Sequence, residues 1–423
     1  MRLEPISPAI MAAIADHAAI DPTPRLVEDQ TLPQARGDLN SLMRIPWTQV
    51  NWLNSSFLIG TLLLTITAVP AYLWHFGLGL FHAALFGFFF VATGLSITLG
   101  YHRLFSHLTF RAKWPVRLFT LLFGAAAFEN SVVCWASDHR RHHKFVDDHD
   151  DPYDITKGFF HAHIGWILFK LKPERPYDNV ADLLKDPLVR WQHRFYFLVA
   201  VLIGFGVPML LGLAWGGWRD ALGAFLIAGV ARVVCVQQMT FCINSLCHTI
   251  GRQPYSARCT ARDSWIMALF TFGEGYHNFH HEFQHDYRNG VKPWHFDPTK
   301  WGIWLLRRMG LVDQLRRVPN ERILLAEISE QQRGLAEQLD ARPGHNLEIV
   351  RNFLLAAQER LQQARVNWES RKEEYLRAAE RKIEASREGL AELERDFREA
   401  TANLRAAIQH WRETHQLVQA QLA

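Results

Sequence analysis

Two stretches of the sequence repeat one three-histidine pattern, H-x-x-H-H. "DHRRHHKF" carries it at His139, His142 and His143. "HNFHHEF" repeats it at His277, His280 and His281. On an α-helix the residues i, i+3 and i+4 lie on one face, so each triplet is expected to project together. Neutral imidazoles bind iron, zinc, copper and nickel. The repeated pattern therefore predicts a transition-metal site.

Three further histidines are candidate metal ligands. His102 and His107 lie in "YHRLFSH", and His248 follows Asn244 in "NSLCH". Residues five apart on an α-helix diverge by about 140°, so His102 and His107 are expected to reach two different centres. Nine imidazoles are too many ligands for one ion, but four or five apiece suit two ions. Without metal, several of them would be buried and unpaired, which costs free energy.

The elements that position these histidines are membrane spans. No Asp, Glu, Lys or Arg occurs between Arg44 and Arg103, and a spanning helix needs roughly 20 apolar residues. This stretch predicts two spans, and a second pair follows later. The predicted spans cover 55–74, 79–102, 195–215 and 221–244. The fold class predicted is an all-α membrane protein, with four transmembrane helices in two hairpins.

This topology brings the histidines to one face of the membrane. Spans two and four end on the same side, and both long polar segments follow those ends. Most Lys and Arg residues lie in these segments, so the positive-inside rule predicts that this face and both termini are cytoplasmic. A cytoplasmic helical cap is expected to hold the metal centre. The five cysteines show no C-x-x-C pair and indicate no disulfide framework.

The C-terminal part of the chain has a different composition. Residues 346–420 contain no proline and carry an apolar stripe with heptad spacing, from Val350 through Trp368 to Trp411. A coiled-coil homodimer is the leading interpretation, because a narrow apolar stripe needs a partner. The alternative is a fold-back at "ARPGHN" (341–346) against a helix at 321–340. The predicted domains are a polar leader (1–44), a membrane domain (45–318) and a helical extension (319–423).

The order of the motifs resembles that of a known family. H-x4-H, H-x2-H-H, N-x3-H and H-x2-H-H around two membrane hairpins resemble the integral-membrane acyl-CoA Δ9-desaturases of the stearoyl-CoA desaturase type. "FFHAHIGW", "NSLCH" and "GEGYHNFHHEFQHDY" are also similar to this family. The resemblance covers roughly residues 45–310. Because the last histidine box opens with His277 and not with glutamine, the acyl-CoA branch is favoured over front-end and many acyl-lipid desaturases.

The resemblance implies two iron ions with separate ligand sets. The first set is His102, His143, His248 and His277. The second set is His107, His139, His142, His280 and His281. Asn244 is expected to hold a water molecule near the first iron. The implied cofactors are thus a di-iron centre and O₂, the latter as a co-substrate.

The resemblance also implies the positions of the substrate. The acyl chain is expected in a closed apolar tunnel, bent at the reacting carbons by Trp135 and Thr240. Asn130, Asp138 and Lys170 match positions that contact the CoA headgroup in the family. The implied reaction consumes O₂ and two electrons and inserts a cis double bond into a saturated acyl-CoA. This is an oxidoreductase activity of fatty acid biosynthesis.

Two positions depart from the family pattern. Glu129 stands where a glutamine is common, and Ser137 stands where an arginine that helps to bind CoA is common. The second departure leaves an acyl-carrier-protein or phospholipid substrate as an alternative. The expected electron donor is a separate ferredoxin, rubredoxin, cytochrome b5 or reductase, because "RPGH" (342–345) only superficially resembles a cytochrome b5 haem motif. The lipid membrane is an expected partner, and nucleic acid is not.

Two other functions compete with this interpretation. A membrane di-iron hydroxylase of fatty acids, alkanes or carotenoids would use the same kind of ligands, although such enzymes often space them as H-x3-H and H-x3-H-H. The other alternative is a membrane metal-binding scaffold with a coiled-coil docking arm. The hydroxylase predicts an alcohol as product and the desaturase an alkene, whereas the scaffold predicts no oxygen consumption.

Overall fold

The computed structural model describes residues 47–170, 176–340, 347–380 and 387–422. The predicted leader (1–44) and the "ARPGHN" break lie outside these residues. The described residues divide into two compact units. The first comprises residues 47–252 and 258–317, and the second comprises residues 253–257 and those that follow 317.

The first unit is built around long apolar helices. In chain order its helices are α1 (Trp52–Phe76), α2 (Leu80–Ser106), α3 (Trp114–Ala125), α4 (Val132–Phe145), α5 (Pro187–Arg194), α6 (Tyr196–Gly216), α7 (Trp218–His248), α8 (Trp265–Phe270), α9 (His277–Glu282) and α10 (Pro298–Arg308). Shorter helical turns are Trp47–Gln49, Ile155–Lys157, His161–Gly165, Trp166–Leu168, Asp178–Val180 and Ala181–Leu184. Within the described residues, four helices are long and apolar enough to span a membrane, namely α1, α2, α6 and α7. The four predicted spans are confirmed.

Tight glycine turns join the spans in pairs. Gly77 follows α1 with φ 71°, and Gly217 separates α6 from α7 with φ 77°. Only glycine adopts this left-handed backbone without steric cost. The turn ends carry the exposed side chains of Trp74, Trp215 and Trp218. Tryptophan is enriched where spans meet the membrane surface, so these turns are expected to lie at one interface.

Three of the four spans contain π-helical segments. They are Ser96–Ser106 in α2, Leu202–Gly206 in α6 and Phe225–Ala231 in α7. The hydrogen bonds of a π-helix run between residues i and i+5, which widens the helix, and such segments are frequent at functional sites. The segment in α2 contains His102, and the other two lie beside a buried arginine.

The buried arginine in α7 is fully hydrogen-bonded to backbone. Arg232 donates to the carbonyl oxygens of Ala126 (2.5 Å), Gly204 (2.9 Å) and Ala228 (3.1 Å). Its guanidinium also lies over the ring of Phe89. A charge inside a span is a candidate functional residue by default. Here the guanidinium satisfies carbonyls at a helix end and in two π-helical segments, so its role is to join three helices.

The helices of the first unit that lie outside the spans, α3, α4, α5, α8, α9 and α10, are called the cap here. Helix α4 packs against the last turns of α2 through the buried residues Val132, Val133 and Ala136. A two-stranded antiparallel sheet joins distant parts of this cap, β1 (Arg111–Ala112) to β2 (Val312–Asp313). The cap therefore holds α4 and the end of α2 side by side, and both carry histidines.

Within its described residues, the second unit contains three long helices. They are α11 (Asn320–Asp340), α12 (Leu347–Glu380) and α13 (Arg387–Leu422). The indole of Trp368 on α12 donates to Thr401 on α13 (3.1 Å), and Tyr375 stacks on Phe397. Since position 368 lies opposite 401 and position 375 opposite 397, α12 and α13 are antiparallel.

The heptad stripe is buried inside this unit. Leu354, Leu361 and Trp368 pack in one core with Leu404 and Trp411. Helices α12 and α13 lie on either side of residues 381–386, which include Ile383 and lie outside the described residues. As the fold-back alternative expects, helix α11 shares this core with the stripe. Its break at 341–346 lies outside the described residues, so that alternative stays a prediction. The dimeric coiled coil stays a prediction, and the stripe proposed for it is covered by helices of the same chain.

Candidate metal centre and cavity

Helix α4 presents its three histidines in two directions. The helix begins after Ser131, whose hydroxyl accepts the backbone N–H of Cys134. His139 and His143 are one turn apart and share a face, whereas His142 is rotated by about 100° from His143. In α9 the corresponding histidines have the same spacing. Each helix can therefore supply two imidazoles to one centre and one imidazole to another.

The π-helical end of α2 brings His102 and His107 together. The backbone N–H of His107 donates to the carbonyl of His102 (3.1 Å), an i to i+5 bond. In this wide helix, residues five apart lie above one another, and the two rings are 4.8 Å apart. The predicted divergence of His102 and His107 toward two centres is wrong, because it assumed α-helical geometry.

The nine histidines converge in two groups that could each hold a metal ion. Within each group, the nitrogen atoms that could act as ligands all lie within 4.8 Å of one another. The first group is His102, His107, His139, His143 and His280. The second group is His142, His248, His277 and His281. All four histidine-bearing parts of the chain contribute to this pair of groups.

This division differs from the one that the family resemblance implied. His102 and His143 were expected with His248, but both lie in the first group. His142 and His281 were expected with His107, but both lie in the second group. The observed division follows helix geometry, because the i and i+4 histidines of α4 and of α9 stay together and the i+3 histidine points to the other group.

The Nε2 atoms face one another inside each group. In the first group the Nε2–Nε2 distances are 2.8 Å for His107–His139, 2.9 Å for His143–His280 and 3.0 Å for His102–His280. In the second group they are 3.2 Å for His142–His281 and 3.1 Å for both His248–His277 and His277–His281. Hence the ring edges that can ligate a metal point inward.

Oxygen acceptors fix the opposite ring edge of three ligands. Nδ1 of His102 lies 2.9 Å from Glu274, and Nδ1 of His142 lies 2.9 Å from Asp151. Nδ1 of His248 lies 2.7 Å from Thr260 Oγ1. An Nδ1–H that donates to oxygen leaves Nε2 with its lone pair free, which is the tautomer that binds metal. Facing lone pairs repel unless a cation lies between them, so the residues present fit a bound metal ion.

Burial favours the neutral, metal-ligating form of six of the nine histidines. Loss of hydration, together with neighbouring imidazoles, holds the pKa of six of them well below its usual range. They are His107, His139, His143, His277, His280 and His281. A protonated imidazole has no lone pair for a metal. The electrostatics of the site therefore favour a cation as the charge at its centre.

A buried ionic network supports the first group. Arg103 donates to Glu274 (2.8 Å) and to Asp297 (3.0 Å), and all three side chains are inaccessible to solvent. Burial alone would raise the pKa of Glu274, but Arg103 and His102 reverse this effect and lower it. Asp297 also caps α10 by accepting the backbone N–H of Lys300. The network thus connects a metal-facing histidine to the packing of the cap.

A hydroxyl relay supports the second group and gives a testable expectation. Thr260 accepts from His248 and donates to Asp147 (2.6 Å). Thr260→Val keeps the shape but removes this relay, so we expect the second group to bind metal 10- to 100-fold more weakly. The measurement is the metal retained after a timed chelator challenge. Thr249→Val is the matched control, because Thr249 bonds only its own helix end. Equal retention in both variants contradicts the expectation.

A cavity of about 630 Å³ opens beside both histidine groups. His102 and His139 of the first group line it, as do His142 and His277 of the second. Most of its remaining wall is apolar and aromatic, from α1, α2, α4, α6 and α7. Its residues include Phe57, Leu58, Ile97, Phe128, Trp166, Ile167, Phe197, Phe241 and Ile243. A molecule bound in this cavity is in direct reach of both groups.

Five of the six other predicted site residues line this cavity. They are Asn130, Trp135, Asp138, Thr240 and Asn244. Lys170 does not line it; this residue is exposed, and its backbone N–H donates to Gln49. The ring of Trp135 stacks on the ring of His139 at 4.8 Å. The roles assigned to these residues stay predictions.

Sequence reasoning missed the oxygen partners of the histidines. Asp151, Thr260 and Tyr153 are hydrogen-bonded to His142, His248 and His139, respectively. Glu274 lies three residues before His277 in the sequence, and no role was predicted for it. In the structure it belongs to neither histidine group and instead accepts from His102. The only sequence signal for these partners is that Asp151 and Glu274 lie close to the two H-x-x-H-H motifs.

Comparison with known proteins gives the same assignment as the motifs. A model of the fatty acid desaturase family matches residues 78–304, which is more than half of the chain. This chain belongs to the fatty acid desaturase family. It is 42% identical to acyl-CoA desaturase 1 of Saccharomyces cerevisiae over 301 residues, 68% of this chain and 57% of that relative. It is 31% identical to stearoyl-CoA desaturase 2 of Mus musculus over 314 residues, 73% of this chain and 85% of that relative.

The matched segment contains the whole histidine centre of this desaturase family member. All nine histidines lie between residues 78 and 304. A probable acyl-CoA desaturase of Schizosaccharomyces pombe is 40% identical over 291 residues. The chain spans less than two thirds of the length of the two yeast relatives, 57% and 59%. Helices α11, α12 and α13 of the second unit lie after the matched segment, so family membership says nothing about their role.

Proposed function

We propose that this protein is an O₂-dependent fatty acyl desaturase that inserts a cis double bond into a saturated acyl-CoA, with the Δ9 position favoured. One observation carries the proposal: a largely apolar cavity is lined by histidines of both groups. A saturated chain has no polar handle, so an apolar cavity is the environment that binds it. The names of the relatives support a CoA thioester as the substrate.

We propose two iron ions as the resident metals. The first would be held by the five histidines of the first group, and the second by the four histidines of the second group, with Asn244 near the latter through a bound water. The donor set of neutral imidazoles suits iron, although it also suits zinc and copper. When bound, a pair of irons supplies the O₂ chemistry that removal of hydrogen from an unactivated methylene group requires.

The protein's own residues orient the chain and exclude water. Trp135 on α4 and Thr240 on α7 both line the cavity, so they would define which carbons can approach the histidine groups. Such positioning sets which bond reacts. The overall reaction takes two hydrogen atoms from adjacent carbons, with O₂, two electrons and two protons, and gives a cis alkene and two water molecules.

The electrons come from a separate carrier protein, and the reaction is expected on the cytoplasmic side. The short glycine turns lie at one end of the spans, while the basic segments lie at the histidine end, which the positive-inside rule assigns to the cytoplasm. Arg140, Arg141 and Lys144 on α4 are at this end. An acidic donor or an anionic headgroup is complementary to such a surface. Acyl-carrier-protein or phospholipid carriers are the alternatives to CoA.

The test is a product analysis with purified protein. The protein is incubated with a saturated acyl-CoA, O₂ and a chemical reductant with a one-electron mediator. The expected product is an alkene whose double bond lies at a single position of the acyl chain. Gas chromatography with mass spectrometry distinguishes this product from an alcohol, which would instead support the hydroxylase. Neither product, together with no oxygen consumption in iron-loaded protein, overturns both enzymatic proposals and leaves the metal scaffold.

A further inference from the structure

A carboxyl group without a charged partner lines the cavity. Glu129 lies in the turn between α3 and α4. Its two neighbours, Phe128 and Asn130, have φ values of 59° and 76°. A bulky residue such as phenylalanine rarely adopts this left-handed backbone, and strain of this kind collects where the surrounding structure enforces a functional conformation.

Two neighbouring helices hold this strained turn. The side-chain amide of Gln237 on α7 donates to the carbonyl of Phe128 (3.0 Å). The hydroxyl of Tyr196 on α6 accepts the backbone N–H of Asn130 (3.0 Å). Both peptide groups beside Glu129 are thus fixed from outside the turn. The consequence is that the side chain of Glu129 points into the cavity.

The carboxyl group of Glu129 connects two cavity walls. The hydroxyl of Thr240 on α7 lies 2.8 Å from Oε1, and the indole of Trp135 on α4 donates to Oε2 (3.2 Å). Trp135 in turn stacks on His139 of the first histidine group. The side chain therefore links the two residues that are expected to set the bend of the acyl chain.

The hydrogen-bond geometry allows a protonated carboxyl group, although Thr240 and Trp135 can both donate to an ionised one. Thr240 Oγ1 also lies 3.3 Å from the carbonyl of Val236. If Glu129 carries the proton, it donates to Thr240, and Thr240 donates to Val236; an ionised Glu129 takes the threonine proton and leaves that carbonyl without it. None of the ion pairs among the described residues includes Glu129. Burial raises the pKa of Glu129 to about 8, although its two hydrogen bonds oppose the shift.

The titratable groups around Glu129 do not neutralise a negative charge. Tyr101 on α2 and Tyr196 on α6 are its titratable neighbours, and both are phenols that carry no positive charge. From α4, Asp138 and His139 line the same cavity. Asn54 of α1 and Gln237 of α7 also line it and do not titrate in water. An ionised Glu129 would place an unpaired charge in an apolar cavity, which is costly.

We propose that Glu129 is a positioning residue that holds Trp135 and Thr240 in place for the acyl chain while it is protonated, and that its ionisation weakens binding of that chain. The inference rests on the proposed function, because it takes the cavity as the acyl site. A glutamine side chain at this position could make the same two hydrogen bonds without a titrating proton. Glutamate makes binding depend on pH.

The test measures binding of a saturated acyl-CoA without reductant, so that it does not depend on turnover. If only the protonated form binds, the bound fraction follows the neutral fraction of Glu129. Between pH 7 and pH 9 the Kd of the unaltered protein should then rise about tenfold. In Glu129→Gln the ratio of the two Kd values should stay near one. Glu129→Asp keeps a carboxyl group and should keep the alkaline rise.

Each outcome decides the inference. An equal rise of Kd in Glu129→Gln overturns it, since the titrating group would then lie elsewhere. If Glu129→Gln does not fold, infrared difference spectra of the unaltered protein must show a protonated carboxyl band that disappears with a midpoint near pH 8 and is absent from Glu129→Asn. Its absence from the unaltered protein also overturns the inference. Failure to form an alkene counts only against the proposed function.

Discussion

Replacing His142 with alanine is expected to reduce alkene formation to background and to remove one of the two proposed irons. His142 contributes Nε2 to the second group, where it lies 3.2 Å from the Nε2 of His281. Its removal leaves three imidazoles in that group, and the proposed reaction needs both ions. The measurements are iron per chain and the lipid profile of expressing cells by gas chromatography. His75→Ala is the matched control, because His75 is an exposed histidine at the far end of α1.

Pairs of substitutions distinguish the two ways of dividing the ligands. In the observed division, His142 and His248 belong to the same group, so the double alanine variant should retain about one iron per chain. His107 belongs to the other group, so His142→Ala combined with His107→Ala should retain almost none. The division implied by the family resemblance predicts the reverse for both pairs. Metal counts that follow this reverse order would show that the observed grouping is wrong.

The spans and their histidine-bearing ends could be predicted because both depend on composition. The segment between Arg44 and Arg103 carries no charged side chain, and an apolar segment of this length is typical of membrane-spanning helices. With four spans, the ends of α2 and α7 must lie on the same side, and that brings His102 and His248 together without any knowledge of packing. These predictions needed no side-chain geometry, and the structure confirms the spans.

Other features depend on contacts that periodicity does not encode. The sequence around His102 reads as an α-helix, and only the i to i+5 bond at His107 changes the direction of the ring. The heptad stripe through Trp368 reads equally well as a dimer seam or an intramolecular core. Thr260 lies far from any histidine box in the sequence, and its role depends on a loop that brings it to His248. In each case a tertiary contact decides between local alternatives.

Arg103→Met is expected to cause the largest loss of stability of any single substitution considered. Arg103 is 1% exposed, and its removal leaves Glu274 and Asp297 as buried carboxylates without their cation. Breaking a buried ion pair by removing one partner costs about 3–5 kcal/mol. For a domain of this size, each kcal/mol lowers the Tm by about 2–4 °C, so the loss should reach at least about 6 °C. Thermal unfolding in detergent measures it.

Arg333→Met is the matched control, because the ion pairs of Arg333 with Glu330 and Glu337 are exposed on one helix and contribute little. A loss of the same size in both variants would contradict the expectation. Adding Glu274→Gln to Arg103→Met removes one of the stranded charges and should recover part of the Tm. It should not recover metal binding in the first group, because His102 then lacks the carboxylate that orients its ring. In the double variant we therefore expect the Tm to recover in part while metal retention stays low. This result would show that Glu274 contributes both to the stability of the cap and to the geometry of the metal centre.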